Sequence, residues 1–198
     1  MNSYKLASTP GPQQGYTLVE LAISVAILSV LIVAGLLGVQ AILTSGKVND
    51  QIKTVAKLTA KASALFASTG TSGVNQKQMI QVGAWDASKA NGENVTSSFG
   101  SKETIEHNSK VIGAMAEGTG FVYKIFAVPQ AACADLATGL SGFVFSLHVS
   151  AVSSGGTKEP TDWTAKTAVK APGAANVTFT NMADSCSSNS DFYMAVKP

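Results

Sequence analysis

Residues 21–46, LAISVAILSVLIVAGLLGVQAILTSG, form a run of 26 residues without a formal charge. As a helix the run rises about 39 Å, more than the hydrocarbon core of a bilayer at about 30 Å. Of the 41 Val, Ile and Leu residues, 16 lie in residues 16–46 and only 24 in residues 47–198. The chain therefore divides into a polar start, a very apolar segment and a Gly-, Ser-, Thr- and Ala-rich remainder. A secretory signal peptide has a shorter apolar core, about 7–15 residues, ending at a small-residue cleavage site. This run is longer, and an acid, Glu20, stands just before it. Residues 1–15 contain Lys5, no acid, and the helix breakers Pro10, Gly11 and Pro12. Lys5 and the terminal amine favour a cytoplasmic N-terminus.

Charge is scarce: 13% of residues, against about 25% in an ordinary soluble domain. All 14 cations are Lys, and the net charge is +2. Without Arg or a basic stripe the chain does not look like a nucleic-acid binder, and 45% hydrophobic content argues against disorder. Of the 26 charged residues, only Lys5 and Glu20 precede Lys47. A carboxylate among Leu18, Val19, Leu21 and Ile23 is costly in lipid, so Glu20 either has a partner or sits in the headgroups. Ala22, Ala26, Ala34 and Gly38 are spaced by multiples of four, which lets helices approach closely, although small residues are common in any membrane helix. Any loosening of the helix within a filament is expected to centre on Gly35–Gly38.

Gly15-Tyr16-Thr17-Leu18-Val19-Glu20, followed by the uncharged run, resembles the type III signal of type IV prepilins and pseudopilins. The resemblance implies that a membrane-embedded prepilin peptidase cuts after Gly15 and N-methylates Tyr16. It also implies that Glu20 pairs with the N-terminal amine of a neighbouring subunit. Glu20 lies one helical turn after Tyr16 on the same face, and a carboxylate there offsets an amine placed at the positive end of a helix. The implied organisation is a leader over residues 1–15, a transmembrane and filament-core helix over 16–46, and a globular head over 47–198. The implied partners are other copies of the chain in a homopolymeric helical filament, the peptidase, the inner-membrane pilus assembly machinery and the inner membrane before assembly. No nucleic acid and no cofactor is implied. The expected location is the bacterial inner membrane for the precursor and an extracellular pilus for the product.

Beyond Gly46 the apolar residues Val48, Ile52, Val55, Leu58, Ala62 and Leu65 keep helical spacing, with Lys47, Asp50, Lys53, Lys57 and Lys61 on the other face. One helix is predicted over residues 17–68, amphipathic in its second half. A short helix is predicted at 75–82, with Trp85 as a buried anchor and the rest of 69–110 as a long loop. Strands are predicted at 110–115, 120–128, 142–150, 176–181 and 192–197, and a helix at 129–140 with Pro129 in its first turn. The fold class expected is α+β: a long N-terminal helix packed on an antiparallel β-sheet head, the pilin fold.

Cys133 and Cys186 are the only cysteines, and two Cys in an exported domain are expected to form one disulfide. The run 131–138 around Cys133, with a terminal strand 192–194 after Cys186, resembles type IVb pilins such as the bundle-forming pilus pilin. The 15-residue leader fits that subclass, and Tyr16 departs from its usual Met or Leu. Residues 184–191 offer oxygens but lack the acidic spacing of a Ca²⁺ loop, so they read as a solvated turn. His107 and His148 are the only histidines, and His148 reads as a satisfied sheet residue rather than a base. No nucleophile elbow or phosphate loop is present, so no enzyme activity is expected. The function implied is a major pilin, in a pilus serving adhesion, aggregation, motility, conjugation or DNA uptake. The alternatives are a type II secretion pseudopilin, a minor or tip pilin, or a membrane-anchored binding module that does not polymerise.

Overall fold

A computed structural model describes residues 16–67, 70, 74–152, 163 and 168–197. The backbone divides into two compact units, Met1–Ile42 and Leu43–Pro198. Helix α1, Leu18–Phe66, contributes to both. In the first unit its large apolar side chains are open to the surroundings, among them Leu21, Ile27, Leu31 and Val39. No Cβ contact would arise at Gly35 or Gly38, and the helix is continuous there.

In the second unit α1 becomes one wall of a core. Val48, Val55, Leu58 and Ala62 are buried, at the helical spacing that builds a single apolar stripe. After Phe66 the backbone turns, and the Gly70 amide donates to the Phe66 carbonyl at 2.9 Å. Gly70 has φ +74°, a conformation favouring glycine that ends helices. Helix α2, Gln76–Gln81, is capped by Asn75, whose side-chain oxygen accepts from the Gln78 amide.

Residues 82–110, expected as a loop, instead contain three strands: β1 Ala90–Asn91, β2 Asn94–Thr96 and β3 Lys102–His107. Then come β4 Phe121–Val128, α3 Gln130–Leu140, β5 Ser146–Ala151, α4 Phe179–Ser185 and β6 Ser190–Val196. The six strands form one antiparallel sheet in the order β1-β2-β3-β4-β6-β5. Strand β3 was hidden because one of its inward residues, Glu103, is a carboxylate, so the pattern of apolar alternation fails there.

Three other expectations are corrected. Residues 110–115 form no strand: the Ile112 and Met115 amides and carbonyls pair across a tight turn in which Gly113 has φ +57°. Residues 176–181 lead into α4, because burial of Met182 and the bond at Cys186 outweigh a local β-branched pattern. The strand expected from residue 142 begins at Ser146, since the Phe143 amide donates back to the Leu140 carbonyl in a turn. Pro129 precedes α3 in the N-cap position.

The sheet is buried on both faces at β6, where every residue is buried. One face carries Phe192, Met194 and Val196 into the core shared with α1, α3 and Trp85. The other carries Tyr193 and Ala195 into a smaller cluster with Ile112, Met115, Val122 and Trp163. This second layer explains why Trp163 is only 5% exposed.

A polar seam crosses the main core. Gln51 and Trp85 donate to the two oxygens of the wholly buried Glu103 carboxyl, at 2.5 and 2.8 Å. Gln51 also donates to the Tyr123 hydroxyl and accepts from the Ser98 amide. Beside it the Lys89 ammonium donates to Asp50 and Ser98. Helix, hairpin and sheet are thus joined by buried polar groups that have partners, as a low-dielectric site requires.

Candidate functional site

The residues singled out in the sequence fall in two places. Gly15 lies outside the described residues. Tyr16, 82% exposed, precedes α1, and Thr17 begins it: the Thr17 carbonyl accepts the first helical bond, from the Leu21 amide at 3.2 Å. The Thr17 hydroxyl accepts from the Glu20 amide at 3.3 Å. In return Glu20 Oε2 accepts from the Thr17 amide at 3.4 Å and from the Thr17 hydroxyl at 3.3 Å. This is a reciprocal capping box: the N-cap side chain and the residue three further on each satisfy a backbone N–H that the helix cannot.

Sequence reasoning assigned Glu20 but missed Thr17. The signal was present as Thr17-x-x-Glu20 ahead of an apolar run, the spacing of a helix start. The carboxylate also suits the positive end of the helix. The Glu20 carbonyl accepts from Ser24 Oγ at 2.8 Å, so a polar edge extends one turn into the apolar segment.

The second place is the C-terminal part of the head. A disulfide joins Cys133 in α3 to Cys186 at the end of α4, with Cα atoms 5.6 Å apart and 53 residues of separation. Around it the chain is fixed by short polar contacts. The Asp191 carboxylate accepts from the Ala127 amide at 2.7 Å, where β4 bulges and Ala127 takes φ +48°. The expectation of a solvated turn over 184–191 is therefore corrected at its end: Asp191 is 2% exposed and is the fastening of the bulge. A non-glycine residue held at positive φ stores strain that its surroundings must hold in place, and the Asp191 contact is one such restraint. Ser190 Oγ donates to the Ser185 and Ser188 carbonyls, closing the turn after α4. Among the described residues no three His, Cys, Asp or Glu side chains gather as a metal site. His148, on β5, lies edge-on to Trp163 and Tyr193, with ring centroids 6.3 and 6.4 Å away.

Lys170 fastens the far end of α3. Its ammonium donates to the Ser141 and Val144 carbonyls, at 2.5 and 2.6 Å, where a cation complements a helix C-terminus. Burial holds its amine below the usual lysine value.

The family described as "Prokaryotic N-terminal methylation motif" matches residues 11–36. That span covers the capping box and residues 21–36 of the apolar run. No curated protein sequence matches the chain. Among solved structures, the type IV b pilin from Salmonella typhi is similar with a TM-score of 0.52 and 15% identity, over 76% of this chain and 99% of that one. TcpA, a type IV pilin from Vibrio cholerae El Tor biotype, is similar with a TM-score of 0.51 and 18% identity, over 77% of this chain and 99% of that one. At such identities the likeness is one of fold, and the methylation motif is independent of it. The chain thus carries a prokaryotic N-terminal methylation motif at its start and a fold similar to that of solved type IV pilins.

Proposed function

We propose that the chain is the major subunit of a type IV pilus, of the type IVb kind, and that it is not an enzyme. The observation that carries this reading is the methylation motif over residues 11–36, which runs into the first half of a helix whose large apolar side chains are exposed there. Such a surface needs lipid or other copies of itself. In the membrane lipid covers it; in a filament the same helices cover one another, each Å² of apolar surface removed contributing about 25 cal/mol.

Cleavage between Gly15 and Tyr16 leaves a new amine two residues ahead of α1. That position disfavours a cation, because the helix dipole and the exposed N–H groups are already positive there. Glu20 offsets it. One carboxylate oxygen, Oε2, holds the cap of its own helix through Thr17. The other oxygen is left to take the methylated amine of a neighbouring subunit, which fixes how far one helix is displaced along the next. The peptidase, the inner membrane and the pilus assembly machinery are the partners this reading requires. The Cys133–Cys186 disulfide favours a pilin over a type II secretion pseudopilin, a class that generally relies on bound Ca²⁺ instead.

Mass spectrometry of filaments sheared from cells tests the reading. Abundant filaments of this chain beginning at N-methylated Tyr16 are expected. A trace amount at filament ends indicates a minor pilin. An intact Met1, or a cut inside the apolar run, overturns the proposal. Glu20→Gln and Glu20→Ala test the assembly role: normal filaments formed at the normal rate remove it.

A further inference from the structure

The chain has nine asparagines, and only Asn91 is followed by glycine. Asn91 ends β1 and Gly92 begins the two-residue turn to β2, closed by the pair Asn91↔Asn94. Gly92 has φ +63°, the conformation a first-position glycine takes in tight hairpins, and an added Cβ there would meet open space. Both residues are exposed. The Asn91 side-chain amide and the Gly92 N–H have no hydrogen-bond partner among the described residues. Strand β1 is two residues long at the edge of the sheet, so fraying a single terminal pair frees the backbone of Asn91.

We propose that Asn91 is a site of self-modification by its own backbone, becoming aspartate and isoaspartate. The Gly92 amide nitrogen attacks the Asn91 side-chain carbonyl carbon. The new N–C bond closes a five-membered succinimide, the C–Nδ2 bond breaks, and ammonia leaves with the proton lost by the Gly92 nitrogen. Water then opens the ring at either carbonyl, giving aspartate or isoaspartate. Water is the only co-reactant.

Six of the other asparagines are restrained by their hydrogen bonds, by their place in a helix or by the residue that follows them. Asn108, followed by serine, is buried, and its amide donates to the Lys110 and Ala116 carbonyls while accepting from the Gly120 amide. Asn189, also followed by serine, accepts from the Gln130 amide. Asn181 donates to the Ala168 carbonyl, Asn75 caps α2, and Asn49 lies inside α1. Asn94, on the same hairpin, precedes the β-branched and buried Val95. The product places a negative charge at the hairpin tip beside Glu93, which pairs with Lys77 at 3.9 Å. Isoaspartate further inserts an extra backbone carbon where the Ala90↔Val95 register is set.

The experiment incubates the full chain in detergent in heavy-oxygen water, in mildly alkaline and mildly acidic buffer, and follows lysine-specific peptides by mass spectrometry. The 90–102 peptide should gain heavy oxygen at Asn91, split into two isomers, and do so faster in the alkaline sample. The peptides holding Asn108 and Asn189 should stay unlabelled over the same period. Gly92→Ala should slow the gain by roughly tenfold or more, because a Cβ shields the nitrogen and restricts the backbone. Since that variant also strains the turn, the wild-type labelling stands as a measurement by itself. No heavy oxygen at Asn91, or equal labelling at Asn91, Asn108 and Asn189, overturns the proposal.

Discussion

The two halves of α1 obey the same helical geometry and meet opposite fates. In the first unit, Leu28 is 55% exposed and Ile42 is 73% exposed. In the second, Val55 and Leu58 are fully buried. Nothing in the backbone distinguishes them. The difference is in the pattern: the first half is apolar all round, so no one-sided partner can cover it, whereas the second confines its apolar residues to one stripe and sets Lys47, Asp50, Lys53, Lys57 and Lys61 on the opposite face. A helix that is apolar on every side belongs in a surround of lipid or of other helices; one with a stripe belongs against a sheet.

Four changes put that contrast at risk. Removing the disulfide with Cys133→Ser and Cys186→Ser should lower the stability of the head by about 4 kcal/mol, from loop entropy over its span. A denaturant titration of the full chain in detergent reads it. Next, Leu58→Ala should cost about 3 kcal/mol through transfer and cavity terms, while Leu28→Ala in the first half should leave the unfolding of the head unchanged. An equal loss from both would show that the halves are not separate in energy.

Third, the polar seam gives the head a pH dependence of known sign. Burial pushes the Glu103 carboxyl above the usual carboxylate range, against hydrogen bonds from Tyr123, Gln51 and Trp85 that pull it down. Between its unfolded and folded values the folded state keeps a proton that the unfolded state has released. Stability therefore falls as pH rises through that window, and the contribution is fully present below it. Asp50 works in the other direction: hydrogen bonds from Lys89 and Ser98 hold its carboxyl low, so its contribution is present above the unfolded value and lost as pH falls through the folded one. Glu103→Gln should flatten the decline of the denaturation midpoint on the rising side, and Asp50→Asn should leave that decline in place. A midpoint in Glu103→Gln that falls as steeply as in wild type contradicts the assignment.

The smallest effect is expected at the start of α1. Thr17→Ala removes the capping hydroxyl and should cost the first turn about 1 kcal/mol, with Thr17→Ser largely restoring it. Amide exchange in the first turn should speed up while the head is unaffected. Protection unchanged in Thr17→Ala would remove the capping box.

Much of this is legible in the sequence. The amphipathic switch near Lys47, the strands at β4 and β6 and helix α3 all follow periodicities that a single face dictates. The capping box was equally legible, as Thr17-x-x-Glu20, but Glu20 was read only through its charge. Strands β1 to β3 were not legible. Their inward positions include Glu103, and a buried carboxyl is acceptable only once Gln51 and Trp85, distant in sequence, have been brought to it. Helix α4 was misread because residues 176–181 carry a local strand preference that packing overrides.

What the sequence determined by itself is everything that depends on neighbours along the chain: the length and uniform apolarity of the first half of α1, its start at Thr17 and Glu20, and the alternation that makes β4 a strand. What only the tertiary structure decided depends on neighbours across it: the partners of Glu103, the covering of the second face of the sheet by Trp163, and the bulge that Asp191 holds at Ala127. The physical reason is that hydrophobic periodicity is local and additive, whereas satisfying a buried polar group requires particular donors at hydrogen-bond distance, and those come together only when the fold is complete.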